Sequence, residues 1–285
     1  MLQDIAPHKF DNHFVPGKTP TADSPVIAFA GRKVLVYPDG SSIVLPRAKD
    51  IGAFWKLSYL FTMDGIDYFF PEEHIPETDI PEGFKYIGAR ALRKEFSLPR
   101  EQMFLLTTGL HLANWYDHNR FCGACGHPTR IDDTERALVC PKCGNKIFPR
   151  INPAVIVGIT NGDELVMTKY ANRPGQTVTY YALVAGFTEI GETFEETVQR
   201  EVMEEVGLKV KNIRYYKSQP WGFADDILAG YFCDVDGDPT ITMDRHELKT
   251  AVWMKREDIY GQPDDYSLTN EMMMLFHDGK EPKVK

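Results

Sequence analysis

The 285-residue chain lacks any apolar run long enough to cross a bilayer; runs such as Ala154 to Ile159 fall far short of the roughly 20 residues a spanning helix needs. Its first residues, MLQDIAPHKF, carry neither a basic stretch nor an apolar core, so no secretory leader is expected and the protein is read as cytoplasmic. Positive charge is also in short supply. The 32 Lys and Arg against 41 Asp and Glu leave a formal net charge of -9, which argues against nonspecific nucleic-acid binding. A small anionic substrate held by metals stays compatible. Cysteine is scarce, five in all, and four of these fall in two C-x-x-C pairs, a pattern that in a reducing compartment favours a metal over disulfides. Cys233, inside the apolar run Ile227 to Cys233, reads as a buried strand residue. What remains is ordinary for a globular protein: 43% hydrophobic and 26% charged residues, in a length that accommodates two domains.

Against that plain background one stretch stands out, Gly186 to Leu208, GFTEIGETFEETVQREVMEEVGL. Thr193 and Glu196 form a T-x-x-E capping box, and Gly207 supplies a stop, so a helix is expected between them. At about 100° per residue, Glu201, Glu204 and Glu205 share an arc of roughly 100°, beside an apolar stripe of Phe194, Val198, Val202 and Val206. Carboxylates at i, i+3 and i+4 repel one another unless a cation lies between them, and an oxygen-only set suits Mg²⁺ or Mn²⁺. Glu192 precedes the helix and Arg200 lies within it; an ion pair between them would pin the preceding loop and place the Gly186 carbonyl near the metals.

Between Cys122 and Cys143 the spacing is C-x2-C-x14-C-x2-C, with Gly123, Gly126 and Gly144 behind three of the cysteines. Two such knuckles supply four thiolates, Cys122, Cys125, Cys140 and Cys143, for one closed, structural Zn²⁺ site of zinc-ribbon type; a redox or disulfide role is the alternative. Two strands, about Thr129 to Asp132 and Arg136 to Val139, fit the gap, and His127 is read as a neighbour of the site. Upstream, residues 1 to about 24 read as a loose or partly extended entry segment. Short β-rich runs follow (Val26 to Ala30, Lys33 to Tyr37, Ser42 to Leu45, Trp55 to Met63, Ile66 to Phe70), then a helix from Arg100 to Asn119. Downstream of the cysteines, FPRINPAVIVGIT leads straight into a strand, and further strands are expected over Glu164 to Tyr170, Thr177 to Ala185, Lys209 to Ser218, Ile227 to Asp234 and Glu247 to Met254. A helix from Leu268 to His277 closes the chain.

The glutamate-rich stretch resembles the Nudix box, G-x5-E-x7-R-E-U-x-E-E-x-G-U with U aliphatic, and fills every specified position: Gly186, Glu192, Arg200, Glu201, Val202, Glu204, Glu205, Gly207 and Leu208. Ser218-Gln219-Pro220-Trp221, followed by Gly222 and Phe223, lies about ten residues beyond. With the ribbon upstream it resembles the zinc-ribbon-containing NADH pyrophosphatase branch of that superfamily, whose signature is SQPWPFPxS. The chain departs from it at Gly222 and Ala224, where the family has proline, and at Asp226, where it has serine; the two lost prolines are expected to loosen the loop. The resemblance implies an α/β (α+β) chain in three parts: an N-terminal α+β domain over 1–117, a zinc ribbon over 118–150 and a Nudix α/β/α sandwich with a mixed sheet over 151–285.

The same resemblance implies a metal-dependent hydrolase that splits the pyrophosphate bond of NADH or NAD⁺ into NMN(H) and AMP, and it adds the NAD cap of RNA as a candidate substrate. It assigns Glu201, Glu204, Glu205 and Glu247, with the Gly186 carbonyl, to Mg²⁺ or Mn²⁺; either Glu201 or Glu247 is the base. Arg200 and Glu192 support the catalytic loop. Phe148 and Phe187 are expected to stack on substrate bases, and Gln219 and Trp221 to contact substrate; without the family, both phenylalanines read as core residues. A homodimer that does not engage membranes is implied. Two alternatives stay open: a Nudix hydrolase of ADP-ribose or dinucleoside polyphosphates, and a zinc-ribbon binding module carrying a degenerate Nudix scaffold.

Overall fold

The computed structural model describes residues 1–171 and 179–284. They form two compact units, one of Met1–Leu2, Ile151–Pro220 and Asp226–Lys285, the other of Gln3–Arg150 and Trp221–Asp225.

In the first unit a six-stranded mixed sheet is built on one apolar strand, Asn152–Asn161, whose residues from Ala154 to Thr160 are all buried. One edge of that strand runs parallel to Asp226–Val235 over nine residue pairs. Its other edge is shared: the end turns into a hairpin with Glu164–Tyr170, and the beginning pairs antiparallel with Val184–Phe187. Strands buried on both faces read as continuous apolar runs, which is why AVIVGIT and ILAGYFC were legible as strands. Val210–Trp221 and Leu248–Lys255 complete the sheet at its two ends. No strand is described before Val184 in the segment expected from Thr177 to Ala185; the part of it up to residue 178 lies outside the described residues.

The helix Phe194–Val206 lies on one face of this sheet, where Val198, Val202 and Val206 are fully buried among Val155, Val157 and Val184. At about 1.5–3 kcal/mol per buried valine relative to exposure, these three contribute about 5–9 kcal/mol to seating the helix. The capping box is formed: Thr193 Oγ1 accepts from the Glu196 N–H at 3.2 Å, and Glu196 Oε2 accepts from the Thr193 N–H at 2.8 Å. Gly207 ends the helix in the left-handed conformation, its N–H reaching the Met203 carbonyl. The closing helix spans Leu268–His277 with Ser267 as its cap.

In the second unit the DG turns act as hairpin signals; Asp64 and Gly65 both take positive φ, 52° and 79°, between Leu57–Met63 and Ile66–Pro71. The helix Arg100–His118 packs with this sheet, and two features differ from expectation. The entry segment is ordered: Phe10–Asp11 pairs with Met63 and Thr62, and the Phe10 ring meets Phe61 and Phe104 at 5.1 Å each. A helix at Ala89–Glu95 also forms, unmarked by periodicity in its seven residues. The ribbon has three short strands, Arg130–Ile131, Leu138–Val139 and Lys146–Ile147, one more than expected. None of the described helices is long and apolar enough to cross a membrane.

Candidate active site and zinc centre

The catalytic-face residues are set by the short strand Val184–Phe187 and the helix behind it. Gly186 pairs with Val155, which fixes its backbone, and the Glu201 carboxylate fills the place where a side chain would stand. An ideal Cβ on Gly186 would lie 1.9 Å from the Glu201 carboxyl carbon, so glycine is required for the carboxylate to approach the strand. Arg200 ties the loop down. Its Nε and Nη2 meet both oxygens of Glu192 at 2.6 and 2.9 Å, Nη2 also donates to the Phe187 carbonyl at 2.8 Å, and Nη1 reaches Glu201 at 2.7 Å and Glu204 at 3.1 Å. The paired guanidinium holds the Glu192 carboxyl down to about 2.

The three helix glutamates occupy different environments. Glu204 has a side chain 60% exposed, whereas Glu201 is buried and Glu205 is 1% exposed. Burial, and then the charges of Glu201 and Glu247, push the Glu205 carboxyl up to about 8; burial also raises Glu201 against the pull of Arg200. Neither oxygen of Glu205 has a hydrogen-bond partner among the described residues, and only the pull of the Ala185 amide opposes the rise. A buried carboxylate with both oxygens unmet costs several kcal/mol, and a divalent cation relieves both the missing bonds and the repulsion. Oxygen ligands only, one deeply buried and two nearer the surface, fit Mg²⁺ or Mn²⁺. Glu247 stands exposed in the turn before Leu248–Lys255, its carbonyl accepting from Ala171 N–H at 2.8 Å.

The four ribbon cysteines have sulfurs all within 4.8 Å of one another, with Cys122–Cys143 at 3.7 Å and Cys125–Cys140 at 3.5 Å. These separations are far beyond a disulfide bond but match the edge of a tetrahedron with 2.3 Å metal–sulfur bonds, about 3.8 Å. The two knuckles are alike: Gly126 N–H returns to the Cys122 carbonyl at 2.8 Å and Gly144 N–H to the Cys140 carbonyl at 2.9 Å, with φ of 70° and 75°. N–H groups led by that of Ala124 pull the Cys122 thiol down to about 6. The set fits one Zn²⁺ and leaves no open position, so it is structural. His127 contributes its carbonyl to the knuckle, accepting from Cys122 N–H at 2.8 Å.

Residues 150–275 match the family model described as NUDIX domain. These residues are thus similar to Nudix domains. Residues 117–148, immediately before it, match the model described as NADH pyrophosphatase zinc ribbon domain. The chain is 36% identical over 173 residues to a Haemophilus influenzae (strain PittEE) protein named NAD-capped RNA hydrolase NudC, covering 61% of this chain and 64% of that one. It is 42% identical over 168 residues to the protein of the same name from Actinobacillus succinogenes, covering 57% of this chain and 63% of that protein. The chain thus spans a little under two thirds of the curated relatives it matches. Among solved structures, a Nudix hydrolase from Nitrosomonas europaea aligns at 20% identity and TM-score 0.47, over 56% of this chain and 94% of that chain.

The residues expected to contact substrate are placed unevenly. Phe187, on the short strand Val184–Phe187, and Phe148, at the end of the ribbon, are each 54% exposed, so neither is a core residue. Gln219 is not available to substrate: it is fully buried, its Nε2 donating to the Tyr266 carbonyl at 2.8 Å and its Oε1 accepting from Leu268 N–H at 2.7 Å. Its position is structural, holding the start of the closing helix, and the preceding polar strand residues gave no hint of such a distant partner. Trp221 is half-buried with its loop in the second unit. That loop is not loosened by Gly222. The glycine is buried, and an ideal Cβ there would lie 2.2 Å from the Thr107 carbonyl oxygen, so the residue permits a tight seat on the helix Arg100–His118.

Proposed function

We propose that the protein is a metal-dependent pyrophosphatase that hydrolyses the central bond of NADH or NAD⁺, releasing NMN(H) and AMP, and that acts on the same bond at the NAD cap of RNA. The observation that carries the reading is the Nudix box as a folded object: Gly186 emptied for Glu201, Arg200 spanning Glu192, Glu201 and Glu204, and Glu205 buried without partners. Glu201, Glu204 and Glu205, with Glu247 and the Gly186 carbonyl, would hold Mg²⁺ or Mn²⁺. Bound there, the ions would neutralise charge on the pyrophosphate and make water acidic enough to attack it.

The chain's own groups supply the rest. Arg200 fixes the loop so that Glu201 cannot drift, and Glu201 or Glu247 accepts the proton of the attacking water. Phe187 offers an exposed ring to a base, and Phe148 and Trp221 keep the substrate-contact roles that the resemblance implies. The named relatives and the ribbon model support NAD-type dinucleotides over other Nudix substrates. The chain is further proposed to act as a homodimer in the cytoplasm; sedimentation of the purified chain tests the dimer.

The deciding experiment follows products from NADH, NAD⁺, ADP-ribose and NAD-capped RNA with Mg²⁺ or Mn²⁺, beside Glu204→Gln. That substitution keeps size and helix propensity while removing one charge, and turnover should fall at least ~100-fold with the fold intact. Cleavage of ADP-ribose alone would replace the substrate assignment, and absence of metal-dependent turnover on all four would overturn it, leaving a hydrolase of dinucleoside polyphosphates or a binding module.

A further inference from the structure

The Glu192 carboxylate is the junction between the loop after Phe187 and the helix Phe194–Val206, and more than Arg200 meets it. Its Oε1 accepts from Arg200 Nε at 2.6 Å; its Oε2 accepts from Arg200 Nη2 at 2.9 Å, from the Glu189 N–H at 3.0 Å and from the Thr197 hydroxyl at 3.0 Å. The Glu192 N–H returns to the Glu189 carbonyl at 3.1 Å, so the loop is tied to itself as well as to the helix. Thr197 is one of the seven unspecified positions between Glu192 and Arg200 in the Nudix pattern, and it is fully buried. Its hydroxyl has one proton and two acceptors in reach, Glu192 Oε2 and the Thr193 carbonyl, each at 3.0 Å. That carbonyl already takes the helical Thr197 N–H at 3.0 Å, and a charged acceptor makes the stronger bond, so the proton belongs to Glu192.

We propose that Thr197 is a positioning residue for the hydrolase: its hydroxyl fixes the Glu192 carboxylate, which aims Arg200 and, through Arg200, Glu201. The proposal rests on the reading of the helix glutamates as the metal ligands of a hydrolase. Arg200 divides its N–H groups among Glu192, the Phe187 carbonyl, Glu201 and Glu204, so the helix acids compete with Glu192 for it. The terminal torsion of a glutamate is soft, and a carboxylate without the threonine donor can turn and let the guanidinium drift toward those acids. A donor rooted in the buried side of the helix stays put and sets which way the carboxylate plane faces. A threonine whose hydroxyl served only the carbonyl four residues back would have no such effect, because that bond slightly destabilises a helix and valine replaces it at little cost. Since Glu201 is placed for the chemical step and the dinucleotide is gripped elsewhere, the loss belongs in kcat and leaves KM nearly untouched.

The test compares Thr197→Val, which keeps the shape and removes the hydroxyl, with Thr197→Ser, which keeps the hydroxyl, in the full chain with Mg²⁺ and NADH. Thr197→Val should lower kcat about 10-fold with KM within about two-fold of wild type, and Thr197→Ser should keep roughly half or more of the wild-type kcat. The loss stays below the roughly 100-fold that misplacement by about 1 Å costs, because Arg200 still holds Glu192. On a Glu192→Ala background, Thr197→Val should cost less than about two-fold, since the hydroxyl then has no carboxylate to hold. Solvent exchange of the Arg200 Nε–H, followed by NMR and assigned with Arg200→Lys, reads the clasp without turnover; it should quicken about 10-fold in Thr197→Val and stay slow in Thr197→Ser. Unchanged exchange in Thr197→Val, or an equal kcat loss with and without Glu192, overturns the proposal. So does a Thr197→Ser loss as large as that of Thr197→Val, which would assign the effect to the methyl group. If the wild type hydrolyses no NADH while the exchange pattern holds, the substrate reading fails and the hold of Thr197 on Glu192 stands.

Discussion

Adding one methyl group at Gly186 separates catalytic placement from stability. In Gly186→Ala the new Cβ would lie 1.9 Å from the Glu201 carboxyl carbon and 2.1 and 2.3 Å from its oxygens, whereas ordinary contact begins near 3.4 Å. The strand cannot retreat, because Gly186 is paired with Val155 inside the sheet. The carboxylate can: it ends a flexible side chain, and a rotation of its torsions moves it the required 1.5 Å or so at a cost of about 1 kcal/mol. That rotation takes Glu201 away from Arg200 Nη1, now at 2.7 Å, and out of the metal-facing position. Misplacement of a catalytic group by about 1 Å costs on the order of 100-fold in rate. The expected result is kcat/KM for NADH reduced about 100-fold at saturating Mg²⁺, with a melting temperature within a few degrees of wild type. Unchanged kcat/KM would refute the placement of Glu201, and unfolding of the variant would show that the side chain is not the part that yields.

Gly222→Ala should behave in the opposite way, since its obstacle is the Thr107 backbone: a loss of about 1–3 kcal/mol in stability, read as a melting temperature several degrees lower, and an unchanged melting curve would remove the tight seat. Cys125→Ser should release one zinc per chain and lower thermal stability, because structural zinc contributes on the order of 10 kcal/mol of binding free energy; finding two disulfides and no zinc in the wild type would end the ribbon reading. NADH, with a second flat ring, should exceed ADP-ribose in kcat/KM by roughly 5- to 150-fold, at about 0.5–1.5 kcal/mol per aromatic contact over two contacts, and the gap should shrink in Phe187→Ala. Equal values would sink the NADH assignment and spare the Nudix hydrolase.

What could be read in advance was whatever local geometry decides. The capping box at Thr193 and Glu196, the stop at Gly207 and the two cysteine knuckles each depend on residues within a few positions of one another, and the sequence spacing carries them whole. Glu204 and Glu205 show the limit. Adjacent on the same acidic arc, one is open to solvent and the other sealed, a difference made by the sheet beneath and not by the helix. What the sequence did not announce shares a cause: Phe10 is ordered by Phe61 and Phe104, Gln219 bonds to Tyr266 and Leu268, and Gly222 is shaped by Thr107. Each partner lies dozens of residues away, and composition around the residue itself cannot announce it.

The interleaving of the two units along the chain bears on how this protein can be cut apart. A boundary drawn at residue 150 looks like a clean seam, but the first two residues belong with the downstream unit, where Leu2 is 1% exposed and its N–H meets the Tyr266 carbonyl at 2.9 Å. Five residues in the middle of the Nudix-like region belong with the upstream unit. A fragment starting at Ile151 would therefore leave an apolar socket open at one place and strand Trp221, Gly222 and Phe223 in water at another. Truncation or recombination at residue 150 should therefore yield poorly folding pieces before it yields a smaller enzyme.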